Sequence, residues 1–151
     1  MKVSLVVSDL SGNAGTIRAF ILSQALIKLN YEVEVVGFQY GKELYSIPPK
    51  DIPIYSLPGQ KHPKFLLTAQ KLLKKIDGDI IYAVKPKLAS FGLSLLKKLQ
   101  NHRPLILDID DWELSWHGGD NWQYRPSVKQ FYRDIFKKNG QLKDPDHPIQ
   151  K

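Results

Sequence analysis

Short apolar runs alternate along this chain with amphipathic stretches, and that alternation restricts the fold more than any single motif does. The runs "KVSLVVS" (2–8), "EVEVVGF" (32–38), "IPIYSL" (52–57), "DIIYAV" (79–84) and "PLILDI" (104–109) are rich in Val, Ile, Leu and Tyr, as strands are. Helical spacing marks the stretches between them. Ile17, Phe20, Ile21, Leu22, Ala25, Leu26 and Leu29 form the first stripe, and Phe65, Leu66, Ala69, Leu72, Leu73 and Ile76 the second. Leu88, Phe91, Leu95, Leu96 and Leu99 give a third, and Val128, Phe131, Tyr132, Ile135 and Phe136 a last one after Pro126. Strands that are apolar nearly throughout, joined through helices, imply a parallel sheet covered on both faces. The predicted fold class is α/β: a Rossmann-like three-layer αβα sandwich with a mostly parallel sheet over residues 1–125. A terminal helix over 126–139 and a loose polar tail over 140–151 follow.

In such a sheet ligands bind beyond the carboxyl ends of the strands. The segments to examine are therefore Asp9 to Arg18, Gln39 to Lys50, Lys85 to Lys87 and the acidic cluster from Asp108. The first of these, "SDLSGNAGTIRAF", places Gly12, Asn13 and Gly15 between strand and helix. Glycines there let the backbone approach a ligand, and a helix N-terminus offers N–H groups to an anion. Arg18 adds a cation suited to phosphate or carboxylate. The G-x-x-G spacing is neither G-x-G-x-x-G nor a Walker A loop. Gly37-Phe38-Gln39 also stands where a dinucleotide fold places its ribose-binding acid. No nicotinamide cofactor is expected. A tight turn with no ligand is the plain alternative for these glycines.

Composition narrows the chemistry. The chain of 151 residues contains no cysteine, which excludes disulfides, zinc–thiolate sites and cysteine nucleophiles together. The opening "MKVSLVVSDLSG" reads as a strand and not a signal peptide, and no apolar run reaches the roughly 20 residues of a membrane span. A cytoplasmic location is expected. The net charge of +7 is unevenly spread: ten Lys or Arg between Lys61 and Arg103 face two acids, whereas Pro104 to Tyr124 holds five acids and no Lys or Arg. A basic belt thus adjoins an acidic rim, each wanting a partner.

The acidic rim is the sharpest local signal. Asp108, Asp110, Asp111 and Glu113 follow the apolar Leu105-Ile106-Leu107 with only Ile109 and Trp112 between them. A nucleophilic aspartate of the haloacid-dehalogenase type wants Thr or Val where Trp112 stands and several later motifs, and only 39 residues follow. That reading fails. Asp108-Ile109-Asp110 also spells the Asp-x-Asp that holds a divalent ion on a nucleotide diphosphate in some transferases. A general base or acceptor of sugar hydroxyls is the third chemistry, and a solvated helix cap is the plain one.

Two longer stretches bear on the choice. "SDLSGNAGTIRAFILSQALIKLNYEVEVVGF" and "GDIIYAVKPKLASFGLSLLKKLQNHRPLILDIDDWE" resemble, in order and spacing, the N-terminal, acceptor-side domain of GT-B glycosyltransferases of family four, over about residues 1 to 125. The resemblance implies transfer of a sugar from a nucleotide-sugar donor to a glycan or lipid-linked acceptor, as in envelope polysaccharide synthesis. It implies no metal for the chemistry, so neither metal nor cofactor is expected. Gly12 and Gly15 would lie by the donor diphosphate, with Arg18 stabilising leaving-group charge. Where many relatives carry a histidine after the strand, this chain has Asp110 and then Asp111, the candidate catalytic residues. Asn13, Lys85 and Asp108 join Gly12, Gly15 and Arg18 as candidate substrate-binding residues. The donor-side domain carries a Glu-x7-Glu motif, yet no two of Glu32, Glu34, Glu43 and Glu113 stand eight apart. One half of a GT-B enzyme, inactive without a C-terminal domain, is the expectation. A non-catalytic Rossmann-like module that binds an anionic ligand or a protein partner is its rival.

The belt "KHPKFLLTAQKLLKKI" sets Lys64, Lys71, Lys74 and Lys75 around a Leu/Phe stripe. It reads first as a surface helix with solvated lysines, and second as a peripheral contact with acidic lipid head groups. Nucleic acid is not expected, because aromatics do not interleave with the belt and no binding motif occurs.

Overall fold

A computed structural model describes residues 1–12, 14–110 and 127–136. Five parallel strands, β1 (Lys2–Val7), β2 (Glu32–Gln39), β3 (Ile54–Pro58), β4 (Ile80–Val84) and β5 (Leu105–Asp108), form one sheet in the order β3-β2-β1-β4-β5. Helix α1 (Ala14–Lys28) joins β1 to β2, α2 (Lys64–Leu73) joins β3 to β4, and a π-helical turn (Leu88–Gly92) continued by α3 (Leu93–Asn101) joins β4 to β5. A further helix, α4 (Val128–Phe136), follows. The predicted α/β sandwich with a parallel sheet is the observed architecture.

Alternation along the strands divides the core between the two faces. Val3, Leu5 and Val7 of β1 pack with Val33 and Val35 of β2 and with Ala19 and Phe20 of α1. Val6, Val36, Phe38 and Ile81 turn the other way, onto Phe65, Leu72 and Ile76 beside α2 and onto Leu93 of α3. Asn30 ends the first crossover in a left-handed conformation (φ 62°), and the Tyr31 N–H closes on the Leu26 carbonyl. His102 does the same for α3 (φ 54°).

In α2 and just past it the predicted stripe is largely the buried face, with Phe65, Ala69, Leu72, Leu73 and Ile76 buried. In the other two crossovers the residues facing the sheet differ from the apolar stripes. In α1 the buried positions are Thr16, Ala19, Phe20 and Ser23, while Ile17 and Ile21 are exposed. After β4 they are Ala89, Ser90, Leu93 and Ser94, and Leu95, Leu96 and Leu99 face out. The π turn is the reason in the second case. Gly92 and Leu93 donate to Lys87 and Leu88, five residues back, and the extra residue rotates the face that follows. Small residues bring both helices close to the sheet. Their hydroxyls are satisfied locally, Ser23 on Phe20 O (2.7 Å) and Ser94 on Ser90 O (2.8 Å), so burying them costs little.

A polar clasp closes the amino-terminal edge of the sheet. Glu34, buried, accepts from the Ser4 hydroxyl (2.5 Å) and the Asp77 N–H (2.8 Å) and pairs with Lys2 Nζ (2.6 Å). The Ser4 Oγ in turn accepts from the Gly78 N–H (2.6 Å). The turn before β4 is thereby tied to both central strands.

Candidate functional site

The strand order reverses between β1 and β4. At such a switch point the connections leave in opposite directions and open a crevice beyond the carboxyl ends of the strands. The predicted segments after β1, β4 and β5 meet there.

The loop after β1 is organised by Asp9, a residue the sequence pattern did not single out. Its Oδ1 accepts from the Ser11 N–H (2.8 Å) and the Ser11 hydroxyl (2.6 Å). The Thr16 hydroxyl donates to its carbonyl (2.9 Å), which fastens the start of α1. Ser11 Oγ then accepts from the Tyr40 and Gly41 N–H groups (3.0 and 2.6 Å), joining this loop to the one after β2. Gly12 packs against Asp9: a Cβ there would meet the Asp9 carboxylate, which would have to shift. Gly15 lies buried in the first turn of α1. Asn13 falls outside the described residues.

The deeper part of the crevice is built from charges of both signs. Arg18 grips Asp108 with two hydrogen bonds, Nε to Oδ2 (2.5 Å) and Nη2 to Oδ1 (2.8 Å), the bidentate geometry that suits guanidinium and carboxylate. Its remaining Nη1 lies 3.6 Å from Asp110 Oδ2, and Lys85 Nζ lies 3.3 Å from Asp110 Oδ1. Helix α1 and the ends of β4 and β5 are thus joined by one chain of ion pairs. Asp108 holds the Arg18 guanidinium above its ordinary pKa, chiefly through their hydrogen bonds. Burial, and then the Asp108 carboxylate beside it, push the Tyr82 hydroxyl up.

Lys85 is unusual in its backbone. It adopts a left-handed conformation (φ 70°) with its side chain almost wholly buried. Its N–H continues the ladder onto the Asp108 carbonyl (3.0 Å), and its own carbonyl accepts from the Ser90 hydroxyl (2.8 Å). A non-glycine residue in this region costs about 1 kcal/mol or more, and here the β4–β5 pairing and the π turn hold it in place.

These groups have unequal capacity. Both Asp108 oxygens are occupied by Arg18, whereas Asp110 keeps acceptor capacity toward an open groove of about 450 Å³. Ile17, Ile21, Leu22, Ala25 and Tyr82 line the rest of that groove. The position a divalent ion would take on Asp108 and Asp110 is filled by Arg18 and Lys85, and among the described residues no three potential ligands converge. Asp108 takes two of the five Arg18 N–H donors in this arrangement, and the side chain is nearly half exposed. Asp111 and the tryptophans near it lie outside the described residues. The belt lysines Lys64, Lys71, Lys74 and Lys75 are exposed on α2 and just past it, and Lys75 stands over the Tyr55 ring at 5.4 Å. No helix among the described residues is long and apolar enough to cross a membrane.

No protein-family model matches the chain, and no curated protein matches it either.

Proposed function

We propose that this domain is the acceptor-side half of a nucleotide-sugar-dependent glycosyltransferase, with Asp110 receiving the hydroxyl of the glycan or lipid-linked acceptor. The observation that carries the reading is Asp110 itself. It is a carboxylate oriented by Lys85 and Arg18 at the switch-point crevice, and it has lone pairs left for a ligand. Such a group suits a neutral, hydroxyl-rich ligand: it accepts hydrogen bonds from an O–H, serves as a base as that oxygen attacks, and repels a phosphate. The resemblance of both flanking segments to GT-B acceptor domains points the same way. In this scheme Asp108 and Arg18 hold the crevice together, and the start of α1 faces the donor supplied by a second domain.

The test is saturation-transfer NMR of the whole chain against a panel of mono- and oligosaccharide acceptors, repeated with Asp110→Asn. Sugar binding that falls at least tenfold in the variant, with the melting temperature held, supports the reading. Equal binding by both proteins, or none by the wild type, would return the crevice to a non-catalytic module.

A further inference from the structure

Helices α2 and α3 lie on one face of the sheet, with Phe65 and Leu72 of the first and Leu93 of the second in one core. Lys97 of α3 ties them together, its Nζ donating to the Leu73 carbonyl (3.1 Å). Their outward sides therefore make one surface. On α2 and its C-cap the positions turned from the core are Leu67, Lys71 and Lys74, at i, i+4 and i+7. On α3 they are Leu95, Lys98 and Leu99. Leu67 is 65 % and Leu99 66 % exposed. The apolar stripe of α2 is buried, so these open leucines are a separate set. Neither helix contains an acid. From Lys61 to Leu107 the only two are Asp77 and Asp79, both engaged with Lys2 at the amino-terminal edge of the sheet.

We infer that the outer face of α2 and α3 docks on an anionic lipid bilayer, with its lysines at the head groups and its leucines among the upper acyl carbons. Lysines with no acid on their own helix call for an anionic partner. The open leucines between them call for hydrocarbon at the depth of one side chain, which a bilayer offers and a nucleic acid does not. Neither helix exposes an aromatic ring on which a base could stack. A second copy of the chain is disfavoured, because it would set lysines against lysines. The opposite layer has no matching charge: of the two cations in α1, Arg18 is gripped by Asp108 and only Lys28 remains. The inference is independent of the proposed sugar chemistry.

Cosedimentation of the whole chain with phosphatidylcholine–phosphatidylglycerol vesicles tests it. Binding should exceed that to phosphatidylcholine alone at least tenfold and fall as salt is raised. Lys71→Gln with Lys74→Gln should weaken it at least tenfold, since each lysine near such a surface is worth about fivefold. The control Lys28→Gln with Lys50→Gln removes the same charge elsewhere and should bind as the wild type does. Leu67→Gln with Leu99→Gln keeps the charge and should weaken binding at least fivefold. No binding by the wild type would overturn the inference, as would an equal loss in the control pair or none in the leucine pair. Tighter binding to single-stranded RNA at the same salt would overturn it too. Amine acetylation of the unmodified chain covers the case of a misfolded variant. Vesicles should protect Lys71, Lys74 and Lys98 and leave Lys28 reactive, and equal labelling with and without vesicles would count against the surface.

Discussion

Asp108 and Asp110 stand two residues apart, yet their surroundings assign them different work. Asp108 is held on both oxygens by Arg18, while Asp110 has one close cation at 3.3 Å and one at 3.6 Å. Asp108→Asn should therefore lower stability, by no more than about 1 kcal/mol because Arg18 is nearly half exposed. Asp110→Asn should leave stability within about 0.5 kcal/mol and lower ligand binding instead. Thermal melts of the two variants, set beside their sugar binding, separate these outcomes. Tyr82 reports on the same cluster. Its folded pKa lies above 10.0, so the native state keeps the phenol proton longer than the unfolded chain does. The stabilisation is fully present below pH 10.0 and is lost as pH rises through the folded value. Phenolate absorbance should show Tyr82 titrating after the exposed tyrosines. Asp108→Asn should bring it down only part of the way, since burial is the larger cause.

At the scale of elements, apolar packing holds both faces of the sheet, and the clasp on Glu34 holds its amino-terminal end. Glu34→Leu leaves the Asp77 N–H without its acceptor and Lys2 without its partner. A loss of about 2–4 kcal/mol is expected, a fall in melting temperature of roughly 5–15 °C. The Lys2 part of that difference depends on pH. Lys2 is raised above 10.5, first by its hydrogen bond to Glu34. Its contribution is thus complete below pH 10.5 and disappears as pH climbs through the raised value. Melts of wild type and variant should converge partly in strong alkali. Gly37 is a second pressure point. A Cβ there would stand 2.6 Å from the Val7 carbonyl oxygen and 2.8 Å from Leu10 Cγ, so Gly37→Ala should cost about 1–3 kcal/mol by chemical denaturation.

For the whole molecule, the crevice is open on the side of the carboxyl strand ends, where nothing among the described residues presents a nucleotide. If the proposed function holds, the isolated chain should show negligible sugar transfer, because donor and acceptor would be brought together by two domains. Turnover by the purified 151-residue chain, free of any partner, would contradict it.

The sequence by itself determined the layers. Val, Ile and Leu runs too apolar for a half-exposed strand require cover on both faces, and helical stripes between them supply it. It also located the carboxylates, because a strand that ends in acids delivers them to the ligand-binding edge. Three things waited for the tertiary structure. Asp9 marked only the start of a loop in the sequence; the structure shows that it holds Ser11, whose hydroxyl oxygen accepts from the Tyr40 and Gly41 N–H groups and so ties two loops together. Ser23, Ser90 and Ser94 face the sheet although hydropathy reads them as outward, because a hydroxyl bonded within its own segment buries at little cost. Arg18 and Asp108 are ninety residues apart, and no local pattern announces their pairing. Spacing along a chain sets what a segment can become; which distant charges meet is decided only when the strands take their order in the sheet.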